Sequence, residues 1–341
     1  MQHKFDRIAR LPPYVFSEVN AMKARARAAE IDVIDFGMGN PDTASPKHVV
    51  EKLVEAVSDP RTHRYSTSRG IKGLRQAVAN YYGNRFGVEL DIETEVIVTL
   101  GSKEGLANLA SAISAPGDVV LVPNPSYPIH PYGFVIAGAN VCSVRVGDGL
   151  DLMAEIKSAA MRVSPRPKAL VLNFPNNPTG AVVDLEFYSE VVEFARSIGM
   201  YILSDIASAE IYFDGQPPPS ILQVPGAMDI AVEFSSVSKT YSMPGWRVGF
   251  GAGNKDLIGA LARIKSYLDY GAFTPIQVAA SAALNGPQEC VEAIRNRYRE
   301  RRDVLIDSFA ASGWEMPSPR ATMFIWAPVP AAFKALGSLQ F

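Results

Sequence analysis

Cysteine is nearly missing from this chain: Cys142 and Cys290 are the only 2 in 341 residues. Two thiols cannot build the disulfide framework of a small secreted domain, and no pair spacing suggests zinc. Both read as reduced, buried thiols. An excess of one charge is missing too. The 33 Lys and Arg residues oppose 35 Asp and Glu, a formal net charge of −2, so nothing in the balance favours nucleic acid or an acidic membrane. No apolar run approaches the ~20 residues of a membrane span. The opening stretch, MQHKFDRIARLPPYVFSEV, scatters charges where a secretory leader would carry an apolar core. G-x-G-x-x-G is absent as well: FGAGN around Gly251 is glycine-rich but lacks the dinucleotide spacing after a strand. These absences leave a cytoplasmic, soluble protein that needs neither a metal nor a nucleic acid.

What is present is a globular composition, 48% hydrophobic and 20% charged, in a chain longer than one core usually serves. Two domains, or one large α/β domain, are expected. Strand-length apolar runs fall at 95–100, 118–123, 139–144, 168–174, 200–205 and 230–236. Amphipathic stretches such as DLEFYSEVVEFARSIG (184–199) lie between several of them, with apolar residues at three- and four-residue steps. Runs apolar on both faces, alternating with helices, indicate a mostly parallel sheet covered on both sides, a three-layer α/β fold. Segments 14–31 and 284–311 also look helical and lie outside this block; the basic run EAIRNRYRERRDVL reads as a solvated helix face.

Ligands of open α/β sheets bind beyond the carboxyl ends of the strands, so the residues following each run matter most. After the first run, GSKEG can offer backbone N–H groups and the Ser102 hydroxyl to a phosphate, although Ser102 also suits a helix cap. After the second, Tyr127 sits in a proline-braced loop, where it can stack on a flat ring or simply pack. PNNPTG after the fourth is a rigid turn that could aim Asn177 at a ligand oxygen. Asp205 ends the fifth run, where a carboxylate is costly to bury without a positive partner or a capping role. Beyond the sixth lie Ser236, Lys239 and Arg247. Arg247 suits bidentate phosphate binding or a surface ion pair, and Lys239 is a lone cation in SSVSKTYSMPGWRVGF. An amine kept partly dry there could act as a nucleophile. Together the set matches the features of pyridoxal phosphate: a phosphate, a flat ring, a ring oxygen, a ring nitrogen and an aldehyde.

At this point the chain resembles the class I/II aminotransferases, the fold type I pyridoxal-phosphate enzymes. NFPNNPTG, SDIA and SSVSKTYSMPGWRVGF occur in the family's order and spacing. DFGMGNPD, YSTSRGIKGLRQAV, GSKEGLANL and NPSYPIHPYG look most like the alanine/glutamate–pyruvate branch, near LL-diaminopimelate aminotransferases. The resemblance implies that Lys239 forms the Schiff base and shuttles the proton, that Asp205 keeps the pyridine nitrogen protonated, and that Tyr127 stacks on the ring. It also implies that Asn177 donates to the ring's 3′ oxygen, and that Ser102, Lys103 (through its backbone), Ser236 and Arg247 bind the phosphate. Tyr65 would reach the phosphate of a neighbouring subunit in a homodimer, and Gly39 and Asn177 would border the substrate. A large cofactor-binding domain is expected over 40–283, with 1–39 and 284–341 forming a smaller one.

Two departures from the family's pattern stand out. Ser208 occupies the place, three residues after Asp205, where the family usually has a tyrosine donating a second hydrogen bond to the ring oxygen; its loss implies a raised Schiff-base pKa. The family also continues for several tens of residues beyond the position of Phe341 and supplies there an arginine for the substrate α-carboxylate, which no residue here matches. The expected activity is therefore amino transfer between alanine or glutamate and a 2-oxo acid, in amino acid metabolism. An LL-diaminopimelate-type aminotransferase, a lyase on the same scaffold, or a catalytically impaired cofactor-binding fragment are the alternatives.

Overall fold

The protein was analysed as a computed structural model, which describes residues 5–147 and 149–341. All six apolar runs form strands: β1 (Val96–Thr99), β2 (Val119–Asn124), β3 (Asn140–Arg145), β4 (Ala169–Asn173), β5 (Tyr201–Asp205) and β6 (Ala231–Ser236). A seventh, β7 (Gly249–Gly253), completes one sheet in the order β1-β7-β6-β5-β4-β2-β3. The strands from β3 to β6 are parallel, while β7 runs antiparallel to both β6 and β1.

Strand β7 was hidden in the sequence because it reads GFGAG, which has poor strand propensity. The structure shows why glycine recurs there. A Cβ on Gly249 would stand 2.5 Å from the Ser102 nitrogen, one on Gly251 would be 3.0 Å from the Phe234 ring, and Gly253, at φ +130°, would place its Cβ 2.5 Å from the Ala231 oxygen. Neighbouring backbone and a ring fill the space a side chain would take.

Alternation along the strands divides two cores. Leu172, Ile202 and Ala231 face helices Lys72–Phe86, Leu185–Ile198 and Thr274–Asn285, whereas Val171, Leu203, Val232 and Phe234 face Ser102–Ile113, Ile129–Ala137 and Lys255–Leu268. The three-layer reading therefore holds. On the first face lies a fully buried carboxylate, Glu233. It accepts hydrogen bonds from the Tyr82 hydroxyl (3.1 Å), the Ser204 hydroxyl (3.1 Å), the Ser220 hydroxyl (2.6 Å) and the Ile221 N–H (3.2 Å). Burial still pushes its pKa up to about 7 against these four donors.

Outside the sheet, the 14–31 segment forms helix Val15–Ala28, which buries no residue. The 284–311 segment is not one helix. Thr274–Asn285 stops, and Glu289–Ala311 starts anew after Gly286 and Pro287, because Pro287 has no N–H to continue the ladder. Nor is the basic face of the second helix simply solvated: the Arg295 guanidinium lies 3.9 Å over the Tyr212 ring, and Arg301 pairs with Asp42 at 2.9 Å. The two cysteines are free but only half-buried, a correction to the expectation of buried thiols; partial burial raises the Cys290 pKa.

Candidate active site

The chemistry-bearing residues gather at the carboxyl ends of the strands. Beyond β6, Ser236 caps the short helix Val237–Thr240 by accepting the Ser238 N–H at 3.1 Å, and Lys239 lies in that turn. The half-buried Lys239 ammonium donates to the Gly39 carbonyl at 2.8 Å. Among the described residues no carboxylate pairs with it. Burial, and then the nearby positive charge of Arg247, lowers its pKa from 10.5 to about 8. Gly39 could carry no side chain there, since a Cβ would lie 2.5 Å from the Phe324 ring.

Asp205, 4% exposed, uses its two oxygens differently. One accepts the Ala207 N–H at 3.0 Å and closes a turn, since no helix starts after β5 for Asp205 to cap; the other faces the buried His130 Nε2 at 2.9 Å. Against a carboxylate, Nε2 serves as the donor. Asn173 links the end of β5 to the next loop: its amide donates to the Asp205 backbone carbonyl at 2.9 Å, and its oxygen accepts the Asn177 N–H at 2.8 Å. Tyr127 lies edge-on to His130, ring centroids 6.0 Å apart. Its hydroxyl pKa is raised by burial and by the negative Asp205.

Helix Ser102–Ile113 begins at Gly101, φ +86°, with no side-chain cap. Ser102 is therefore the first helical residue and not the cap, which leaves the Ser102 and Lys103 N–H groups available to an anion, that of Glu104 donating to the Gly101 carbonyl. Arg247 is no surface ion pair. It adopts φ +55° and donates to the Leu100 carbonyl at 3.2 Å and the Pro244 carbonyl at 2.9 Å. Glycine suits position 101, because φ +86° is a conformation side chains rarely adopt and a Cβ would also stand 2.2 Å from the Arg247 guanidinium. Lys103 places its ammonium 5.6 Å from the Tyr14 ring and 5.7 Å from the Tyr127 ring.

The structure thus gathers Ser102, Lys103, Tyr127, Asn177, Asp205, Ser236, Lys239, Arg247 and Gly39 around one strand-end site. Tyr65 stands apart, 87% exposed, with its ring 4.9 Å from that of Tyr270. Ser208 is half-buried, and its carbonyl accepts the Ile211 N–H at 3.0 Å. Sequence reasoning missed His130 and Tyr14. His130 follows Tyr127 by three residues, and only the fold sets it against Asp205. A cleft of about 520 Å³, lined by Arg85, Glu210, Tyr241 and Arg295, does not include Lys239 in its lining; its arginines are occupied by Glu210 and Tyr212.

A family described as aminotransferase class I and II matches residues 31–338. The glutamate-pyruvate aminotransferase AlaC of Escherichia coli is 53% identical over 340 residues, covering 100% of this chain and 82% of that protein. An LL-diaminopimelate aminotransferase of Moorella thermoacetica is 45% identical over 96% of this chain and 84% of its own length. Among solved structures, substrate-bound BacF of Bacillus subtilis superposes with a TM-score of 0.89 at 34% identity, over 98% of this chain and 84% of that one. The chain belongs to the class I and II aminotransferases, and its three-layer α/β fold is theirs.

Proposed function

We propose that this chain binds pyridoxal phosphate through Lys239 and exchanges an amino group between alanine or glutamate and a 2-oxo acid. One observation carries the reading: a half-buried lysine amine that no carboxylate holds and whose pKa falls to about 8. Such an amine is available as a nucleophile and as a proton carrier near neutral pH.

The residues fit the cofactor. Gly249 lets β7 pack against the backbone of Gly101 and Ser102, and Gly101 admits the Arg247 guanidinium, which brings that cation beside an uncapped helix start. Ser102, the Lys103 backbone, Ser236 and Arg247 would hold the phosphate. Tyr127 would stack on the ring, and Asn177 would donate to its oxygen, with Ser208 too short to add a second donor. Asp205, backed by His130, would hold the ring nitrogen's proton. When bound, the cofactor supplies an aldehyde for the amine and a ring that withdraws electrons from the substrate α-carbon. The chain's own part is to align that carbon and to move its proton with the Lys239 amine, which the Gly39 carbonyl orients.

The Lys103 ammonium between two aromatic faces fits the second carboxylate of a dicarboxylic substrate, which favours glutamate and keeps an LL-diaminopimelate-type substrate as the second reading. The exposed Tyr65 and Tyr270, whose rings meet at a tilt, suit a second copy of the chain, so the working form is a homodimer. We place it in the cytoplasm; among the described residues no helix is long and apolar enough to cross a membrane. Residues 40–283 form the cofactor-binding domain, with 1–39 and 284–341 in the smaller one.

The test is an absorbance spectrum with pyridoxal phosphate before and after alanine, then after 2-oxoglutarate, with Lys239→Ala as control. A visible band that needs Lys239, falls with alanine and returns with 2-oxoglutarate is the expected result. A band unaffected by amino acids would overturn amino transfer by this chain; no Lys239-dependent band would overturn cofactor attachment as well.

A further inference from the structure

Lys265 is a lysine with no solvent exposure at all, and the site described above makes no use of it. It lies in the last turn of helix Lys255–Leu268, where its ammonium donates to Glu104 Oε1 at 2.8 Å and to Asp269 Oδ2 at 2.9 Å. A buried ammonium is tolerated only when paired and hydrogen-bonded, so the geometry of these two carboxylates is tied to it.

Each carboxylate leads to a different functional edge. Glu104 sits in the first turn of helix Ser102–Ile113, and its other oxygen accepts the Leu100 N–H at 2.9 Å. The carbonyl of that same Leu100 accepts from Arg247 at 3.2 Å. The loop from Leu100 to Ser102, the proposed phosphate cradle, is therefore fastened at both backbone polar groups of Leu100, by Lys265 through Glu104 and by Arg247 directly. Asp269 leads the other way. Its Oδ1 accepts the Gly271 N–H at 2.6 Å, and its carbonyl accepts the Ser68 hydroxyl at 2.5 Å. Gly271, at φ +80°, packs so tightly that a Cβ would be 2.3 Å from the Thr67 oxygen. These bonds clamp the 66–68 and 269–271 segments together and hold out Tyr65 and Tyr270, the tilted ring pair at the exposed edge.

We propose that Lys265 is a positioning residue joining two half-sites: through Glu104 it sets the phosphate cradle of its own protomer, and through Asp269 it sets the Tyr65–Tyr270 edge that reaches the cradle of a second copy. This rests on the cofactor and dimer reading given above. One buried cation then fixes the distance between the two edges, so a cradle and the tyrosine contributed to its neighbour are set together.

Three variants of the full chain test this: Lys265→Met, Glu104→Gln and Asp269→Asn, the last two retaining the size of the side chains should Lys265→Met fail to fold. Affinity for pyridoxal phosphate is compared with affinity for pyridoxal, which has the aldehyde but no phosphate, and self-association is followed by sedimentation. Glu104→Gln should weaken pyridoxal phosphate binding about tenfold, the scale of one mis-set charge-assisted hydrogen bond, and leave pyridoxal unchanged. Asp269→Asn should weaken self-association by a similar factor and lower phosphate-dependent affinity only in the dimer. If pyridoxal and its phosphate lose affinity equally, or if folded variants match the parent in both assays, the proposal is overturned. Wild-type protein without a Lys239-dependent band would instead overturn the cofactor reading on which it stands.

Discussion

Lys239 is set by its surroundings more than by its type. With a pKa near 8, about a tenth of the amine is neutral at pH 7, against well under a hundredth for an ordinary lysine. Reaction with pyridoxal, which needs no phosphate site, should rise with pH to a midpoint near 8. Arg247→Gln should move that midpoint upward, since removing a neighbouring positive charge makes the ammonium easier to keep; a midpoint unchanged or lowered would count against this electrostatic account. The same shift has a stability consequence. The folded state gives up this proton more readily than the unfolded state, so stability contributed by Lys239 grows as pH rises from 8 towards 10.5. Lys103 is the second residue whose role depends on placement. Lys103→Ala should raise KM for glutamate about tenfold, the scale of a lost charge-assisted contact, with little change for alanine. Equal effects on both substrates would remove it from side-chain recognition.

At the scale of elements, β7 and the loop after β1 were designed around each other's backbone. Gly249→Ala would push a Cβ to within 2.5 Å of the Ser102 nitrogen, so both the strand and the start of helix Ser102–Ile113 must shift. We expect a loss of about 1–3 kcal/mol, read by denaturant unfolding, together with weaker binding of pyridoxal phosphate. Gly259→Ala is the matched control. It lies within helix Lys255–Leu268 with nothing inside 4 Å of its Cβ, and should gain about 0.5–1 kcal/mol from helix propensity. Destabilisation of both variants alike would show that the contact at Gly249 is not the cause. The six apolar strands were legible because burial on both faces leaves continuous apolar runs. β7 was not, because its glycines answer to close backbone neighbours that are distant in sequence. The break at Gly286 and Pro287 was legible in principle, since a proline there ends the hydrogen-bond ladder, but the arginine-rich continuation concealed it.

For the whole molecule, Glu233 links three parts of the chain on one face of the sheet: helix Lys72–Phe86 through Tyr82, β5 through Ser204, and the 220–221 turn through Ser220 and Ile221. Its folded pKa, about 7, stands above the model-peptide value of 4.5. The folded state therefore binds the proton more tightly, and stability falls as pH rises from 4.5 to 7, by about 3 kcal/mol at most. Glu233→Gln should flatten that part of the stability–pH curve while retaining most of the cage. A curve of unchanged slope would mean that another group is responsible.

The sequence alone determined the layered α/β fold, through apolar runs and amphipathic stretches that no other architecture buries as well. It also pointed to the candidate residues of the site, because lysine, aspartate, asparagine and arginine at strand ends carry their chemistry with them. Only the tertiary structure decided how those groups behave. Burial and the approach of Arg247, eight residues further along the chain, lower the Lys239 pKa; His130 meets Asp205 across 75 positions of sequence; and Lys265 is enclosed by two carboxylates, one of them 161 residues away. Electrostatic strength depends on distance and on exclusion of water, and both are properties of the folded chain.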